Sequence, residues 1–394
     1  MSQFDYDAIV VGAGPAGSSA ASTLAGEGLR VAVFDRDRFP RSKPCAGAVS
    51  LQCLRWLEHD LPPELIHREF YGGLLCFEDS RLEIQHDYMA GVLVRRSEFD
   101  AHLLSRAVQK GAVAHTGTPV LDAGDKGDHV LVHTAEGDFR ARYLIVAEGA
   151  SGRLKQLVRP AATPDQVMFC LCGEVPEVED TGMRPGPLSS RAPLVLHFGL
   201  CRMGYGWIFG QPGRVSVGIG DKMSTFAEPR KVLSDFLSGH GVKLPDKLYG
   251  HKIPLGGFRR PVAEGRVLLA GDAGGFTDAM LGEGIGYAVR SGQIAAGCVA
   301  ESVLHGGDTG TAARYTKIVG REIGRTLGHS LLLARAMEWM PRWLLRAVLT
   351  DSAALSRYID ILADRVSYAN FNFWLVRRLP LYLLQTACRA LRSK

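Results

Sequence analysis

The chain has 394 residues, 46% hydrophobic and 22% charged, the balance of a globular protein with two or three packed layers, which excludes a disordered or fibrous class. Its eight cysteines, at positions 45, 53, 76, 170, 172, 201, 298 and 388, show neither disulfide-framework density nor zinc-hairpin spacing, so reduced thiols and no metal site are expected. The net charge of +5 is modest and no run of five Lys or Arg occurs, which argues against a nucleic-acid partner.

Asp7–Val11 reads as a buried strand, and it starts too early for a charged leader and an apolar signal region to precede it, so export is not expected. Gly12-Ala13-Gly14-Pro15-Ala16-Gly17 follows, then a small-residue helix over Ser18–Glu27 and a second strand over Arg30–Phe34 that ends in Asp35. This is a β-α-β dinucleotide unit. Gly12 allows the tight turn, Gly14 lets backbone approach a pyrophosphate, Gly17 lets helix and strand pack closely, and Asp35 accepts bonds from a ribose.

Beyond this unit, Lys43-Pro44-Cys45-Ala46-Gly47 sets a cysteine in a turn rather than in an apolar run. Arg96 opens a helix running to Gln109 and places a guanidinium where it could meet phosphate or the adenosine side of a cofactor. Tyr143–Ala147 is an apolar strand leading into Glu148-Gly149. Pro193–Phe198, Tyr205–Phe209 and Arg214–Ile219 have the alternation of an antiparallel sheet, with Tyr205, Trp207 and Phe209 on one face at period 2. Val267–Ala270 is again a buried strand, leading into Gly271-Asp272 and then Gly282-Glu283-Gly284-Ile285, which opens a long helix through Leu304. There Asp272 suits a ribityl hydroxyl, and the helix start suits the electron-rich edge of a flavin ring. His59, His67, His86, His102, His197, His240 and His251 are scattered without ligand spacing.

At these residues the sequence resembles FAD enzymes of the para-hydroxybenzoate hydroxylase fold. Through "KPCAG", "YGWIFG" and "GDAGGFTDAMLGEGIGYAVRSGQIAA" it is similar, over roughly residues 5–300, to the geranylgeranyl reductase family. Two departures stand out: Glu148 where the wider fold has aspartate, and Ala279 where the family has proline. The resemblance implies an α/β (α+β) fold: a Rossmann-like FAD-binding domain, an inserted antiparallel β-sheet substrate domain and a helical C-terminal region. The segments expected are 1–75, 101–165 and 261–307 for FAD, 76–100 and 166–260 for substrate, and 308–394 for the helices. It implies FAD contacts from Gly12, Gly14, Pro15, Ala16, Gly17, Asp35, Arg36, Lys43, Cys45, Ala46, Arg96, Glu148, Gly149, Gly271, Asp272, Gly282, Gly284 and Ile285. Tyr205, Trp207 and Phe209 would line a prenyl-chain site, with Cys45, Trp207 and Tyr205 as the catalytic set.

The implied reaction is hydride transfer from reduced flavin N5 to a prenyl carbon-carbon double bond, with NADPH or ferredoxin as electron donor. An isolated alkene is a poor hydride acceptor, so a proton source and a face that tolerates positive charge are needed. A thiol, unperturbed near ~8.5, carries a proton at neutral pH, and Cys45 is the candidate donor, or else positions the substrate. The alternatives on the same fold are an aromatic monooxygenase and, further off, a flavoprotein that binds polyprenyl lipid without reducing it; the Trp-x-Trp-x-Ile-Pro stretch of flavin halogenases is missing.

After Gly310 the pattern is helical, with breaks expected at Pro341 and Pro380. From residue 365 onward there is no acidic residue, and Arg365, Arg377, Arg378, Arg389, Arg392 and Lys394 alternate with aromatic and aliphatic side chains. Such a stretch suits a peripheral contact with an anionic membrane and is too interrupted to span one. The expected location is cytoplasmic, on the inner face of the membrane.

Overall fold

The computed structural model describes residues 3–58, 61–178, 191–306 and 310–392, without the side chains of 385 and 387–392. His59 and Lys394, and the side chains of Cys388, Arg389 and Arg392, therefore lie outside what is described.

Tyr6–Val11 pairs in parallel with Val31–Asp35 on one side and Gly137–Val146 on the other. Val113–Thr116 extends this sheet past Val31–Asp35, and Val267–Leu269 pairs in parallel with Gly137–Val146. The late strand thus returns to the first sheet, so the intervening segment is an insertion. Alternation divides the sheet between two faces. Ala8, Val10, Val31 and Val33 face the helices, and Ile9, Val11, Ala32 and Phe34 face the meander Val120–Asp125, Val130–Thr134 and Gly137–Val146.

On the helical face, α1 (Pro15–Gly26) has proline in its first turn, where the missing N–H costs nothing. Next come α2 (Leu51–Trp56) and α3 (Arg96–Gln109), the latter with the bounds its sequence signals.

The second sheet runs in the order Leu248–Pro254, Val167–Pro176, Arg214–Lys222, Tyr205–Gln211, Val195–Phe198, Gly72–Phe77, Ser80–Gln85. It is antiparallel except where Val195–Phe198 meets Gly72–Phe77 in parallel, and it begins at Gly72, inside the segment expected to belong to the FAD part. A small sheet of Ala48–Ser50, Gly91–Leu93 and Arg68–Phe70 sits beside it. Helix α4 (Pro229–Gly239) covers one face of the large second sheet through Leu233, Phe236 and Leu237. After it, α5 (Ile285–Leu304) packs on the first sheet beside α1.

The C-terminal region comprises α6 (Thr311–Val319), α7 (Arg325–Trp339), α8 (Arg342–Leu349), α9 (Ser352–Leu362) and α10 (Tyr368–Arg392). The chain breaks at Pro341 as expected, but α10 continues through Pro380. Proline removes one helical hydrogen bond there, and buried Phe371, Leu375 and Tyr382, on either side of it, hold the helix against the core. The remaining face of the second sheet, with Leu75, Phe77, Trp207 and Phe209, packs toward these helices.

Candidate active site

A single cavity of about 780 Å³ runs from the glycine turn of the first sheet, under the second sheet, to α9. Among the residues singled out from the sequence, Gly12, Gly14, Pro15, Ala16, Asp35, Arg36, Lys43, Cys45 and Ala46 all line it. So do Arg96, Glu148, Gly149, Gly271, Asp272, Gly282, Gly284 and Ile285, together with Tyr205, Trp207 and Phe209. Gly17 alone lies behind the wall, and its role is packing: a Cβ there would fall 1.7 Å from the Gly12 carbonyl oxygen. Gly12 itself has φ +101°, and a Cβ on it would meet the Ala147 oxygen at 2.4 Å.

Asp35 is buried at the end of its strand. One carboxylate oxygen accepts from the Ala13 N–H at 2.6 Å and the other from the Asp37 N–H at 2.9 Å. It therefore braces the glycine turn and keeps acceptor capacity toward the cleft. Glu148 accepts from the Leu154 N–H at 2.9 Å, which fixes the Glu148-Gly149 bend on the opposite wall.

The guanidinium over the glycine turn belongs to Arg41, a residue the sequence reading passed over. Its Nη2 lies 3.5 Å from where a Gly14 Cβ would stand, and its Nε, 3.9 Å from the Asp37 carboxylate, makes no hydrogen bond among the described residues. Arg96 is clamped instead: its Nε and Nη2 donate to the two oxygens of Asp100 at 2.7 and 2.8 Å, and Arg41 joins the same carboxylate at 3.1 Å. Asp100 is fully buried. Burial works against the Arg96 cation, but Asp100, with the Cys45 thiol adding to it, raises the guanidinium further into its charged range.

Cys45 is half-buried beside Arg96, and its sulfur accepts from the Gly47 N–H at 3.4 Å. The Lys43 amine, lowered by burial and then by Arg96 and Arg41, contacts His251 Nδ1 at 3.3 Å. On its other side His251 Nε2 stands 3.9 Å from Asp272, whose second oxygen accepts from the Thr277 hydroxyl at 2.9 Å. Burial alone would raise the Asp272 carboxyl, but His251, Thr277 and Lys43 bring it below its ordinary value. Neither His251 nor Thr277 carries a sequence signal, since both act across elements distant in the chain.

Tyr205 donates its hydroxyl to the Leu281 carbonyl, tying the second sheet to the loop before α5. Trp207 donates its indole N–H to Ser216 at 3.2 Å, which leaves only the apolar ring for the cavity. The far end is closed by Leu355, Tyr358, Ile359 and Leu362 of α9. The helical region after Gly310 therefore supplies a wall of the cavity.

Glu283, between the two glycines of the loop, hydrogen-bonds the Ser50 hydroxyl at 2.6 Å; burial, reinforced by Asp278, holds its carboxyl up at about 7. Away from the cavity, the fold gathers Cys76, His197 and His240, whose ligand atoms lie within 4.8 Å of one another. The two imidazoles hydrogen-bond each other at 3.3 Å, and the nearby Arg81 guanidinium opposes a further cation.

The FAD binding domain family matches residues 5–170. Geranylgeranyl diphosphate reductase of Rhodobacter capsulatus is 30% identical to this chain, covering 74% of each. The chain belongs to the geranylgeranyl reductase family. A second family member, digeranylgeranylglycerophospholipid reductase 1 of Methanopyrus kandleri, is also 30% identical, covering 76% of this chain and 81% of its own. In fold, a geranylgeranyl bacteriochlorophyll reductase-like protein of Thermoplasma acidophilum superposes with a TM-score of 0.79 at 20% identity, covering 96% and 98% of the two chains. The cleft fits the cofactor of these FAD-dependent oxidoreductases. The glycine turn is open at Gly14, the Arg41 guanidinium faces it, and two helix N-termini, of α1 and α5, border the cavity.

Proposed function

We propose that the protein is an FAD-dependent reductase that saturates carbon-carbon double bonds in an isoprenoid chain of the geranylgeranyl type. The observation that carries this is the continuity of the cavity: the end at the glycine turn and the apolar end lined by Trp207, Phe209 and the α9 side chains are one space. The names of the Rhodobacter and Methanopyrus relatives support the substrate class.

FAD, when bound and reduced, supplies a hydride. The chain's own residues do the rest. Arg41 and the α1 N-terminus would hold the pyrophosphate, Asp35 the adenosine ribose and Asp272 the ribityl chain. Arg96 hydrogen-bonds the Cys45 sulfur, and the thiol so held would donate a proton to the alkene or fix its position. The Trp207 face stabilises positive charge developing on the more substituted carbon. The surrounding aliphatic wall excludes water that would quench it.

Membrane attachment belongs to the same proposal. No helix among the described residues is long and apolar enough to cross a membrane. On α10, however, Phe373, Val376 and Leu384 share one exposed face with Arg377, while Phe371, Leu375 and Tyr382 face the core. A lipid surface would receive that face and hand a prenyl lipid to the cavity. Substituting Glu at 373, 376 and 384 should abolish binding to anionic vesicles without loss of FAD; unchanged binding would refute the attachment.

The test of function is anaerobic. Protein reduced with dithionite is mixed with geranylgeranyl diphosphate or a membrane-lipid extract, flavin reoxidation is followed, and the lipids are weighed by mass spectrometry. Products heavier by multiples of two hydrogens, matching the flavin reoxidised, are expected, and Cys45→Ser should slow their formation with FAD retained. A flavin that stays reduced until air enters would overturn the reading. Repeating turnover with NADPH and then with reduced ferredoxin identifies the donor.

A further inference from the structure

A second, smaller cavity of about 60 Å³ lies behind the flavin loop. Its inner wall holds Asp278, Tyr287 and Tyr368, all buried, and its outer rim holds Asp364 and Ser367, both exposed. Three residues, Ser50, Leu281 and Glu283, line this chamber and the large cavity together. They form the partition between a mainly polar space with an exposed rim and the mainly apolar end of the large cavity.

The chamber has polar groups left over. Asp278 is fully buried, and its Oδ1 accepts from Ser330 at 2.7 Å and from the Met280 and Leu281 N–H groups at 2.7 and 2.8 Å. Its carboxylate also faces the neighbouring Tyr368 hydroxyl, and the two are each other's side-chain partner, although Asp278 Oδ2 and the Tyr368 oxygen make no further hydrogen bond among the described residues. Buried oxygens with spare hydrogen-bonding capacity beside a space of this size, lined also by Ser50, Gln52 and Ser367, mark a place for ordered water, since a few molecules fit and each finds two or more partners.

We infer that Glu283 carries protons from this water chamber through the partition into the catalytic cavity. The inference rests on the reductase reading. Saturating each double bond breaks one π bond: the hydride brings one hydrogen and two electrons to one carbon, and the other carbon takes a proton from the protein. Where bound cofactor and lipid cover the reacting carbon from water, that proton has to be replaced through the protein, whichever group makes the last transfer. Glu283 gives it up on the cavity side, and water in the chamber reprotonates the carboxylate, so the solvent loses one proton per bond reduced.

The groups facing Glu283 suit the task. Ser50 donates to its Oε1, Cys53 of α2 and Tyr287 of α5 pack against it as uncharged groups, and Asp278 stands on its own loop with Tyr368 of α10 beyond. Further out, at the rim, Gln52 donates to Asp364 at 3.3 Å. No cation is paired with Glu283 among the described residues, so nothing holds it permanently ionised. Its titration falls near neutrality, where a carboxyl both accepts and releases protons readily.

The experiment uses the full-length, FAD-loaded protein and its Glu283→Gln, Glu283→Asp and Tyr368→Phe variants. Single-turnover reoxidation by geranylgeranyl diphosphate should fall about 100-fold in Glu283→Gln. It should recover in Glu283→Asp or with added formate, and in Tyr368→Phe it should slow with FAD content unchanged. Independently of activity, infrared difference spectra across neutral pH should show a carboxylic C=O band that titrates in the parent protein and vanishes in Glu283→Gln. Reoxidation within twofold of the parent in Glu283→Gln, or no such band, overturns the inference. A parent protein that reduces no prenyl lipid overturns the reductase reading instead, and the infrared band then judges Glu283 alone.

Discussion

Asp100 is the residue whose removal should be felt most widely. It is fully buried, and it neutralises two guanidinium groups from different elements, Arg96 on its own helix and Arg41 on the loop over the glycine turn. Asp100→Asn keeps the volume and one acceptor oxygen but removes the charge, leaving two cations with Lys43 close by. Breaking a buried pair from one side costs about 3–5 kcal/mol, because the remaining charge stays desolvated. Unfolding entropy near ~2.1 cal/mol/K per residue comes to about 0.8 kcal/mol/K for this chain, so the melting temperature should fall by about 4–6 °C. Arg41 would also lose its anchor, so excess FAD should raise the melting temperature of the variant less than that of the parent. Differential scanning calorimetry with and without FAD measures both effects. In a double-mutant cycle, Arg96→Met should cost much less in the Asp100→Asn background than in the parent. A melting temperature within about 1 °C of the parent, with an unchanged FAD response, would refute the clamp as an energetic unit.

Three further outcomes follow from the geometry. Gly17→Ala puts a methyl group against the Gly12 carbonyl, so α1 must move from the strand, and the purified protein should carry little FAD by absorbance. Ile359→Trp fills the α9 end of the cavity, so reduction should persist for a short prenyl chain and fall for a geranylgeranyl chain, read by product mass spectra with each substrate. Glu283 is held at about 7 against an ordinary 4.5, so its stabilising proton is fully present below about pH 4.5 and lost as pH rises through 7. That loss amounts to about 3 kcal/mol; relative to Glu283→Gln, the parent should lose about 4 °C in melting temperature across the window, and parallel pH profiles would contradict it.

The parts of this protein that could be read in one dimension are those in which the chemistry is local. The glycine turn, the acid ending the next strand, the Arg96–Gln109 helix and the loop opening α5 each have their partners within a few turns or one β-α-β unit. Periodicity and spacing were sufficient there. The insertion was legible too, because a buried strand at Val267–Leu269 has nowhere to pair except the first sheet. Even half of the Asp100 clamp is local, since Arg96 and Asp100 are one helical turn apart. The other half is not: Arg41 reaches Asp100 from a loop with no periodicity, so its place over the glycine turn carries no local sequence signal.

The same division explains the C-terminal region and the histidines. From sequence, the helices after Gly310 present basic and aromatic residues that suit a lipid surface, and one exposed face of α10 keeps that character. What no window of the sequence shows is that α9 turns Leu355, Tyr358, Ile359 and Leu362 into the end of a cavity begun more than 300 residues earlier. His251 likewise gains a role only when Lys43 and Asp272 arrive on either side of it. The cavity is thus assembled from the cofactor turn, the inserted sheet and the terminal helices together. A substitution in α9 should therefore change which chain is reduced without touching FAD, while one in the Asp100 clamp should weaken FAD whatever the chain. That separation follows from the order in which the elements line one continuous space.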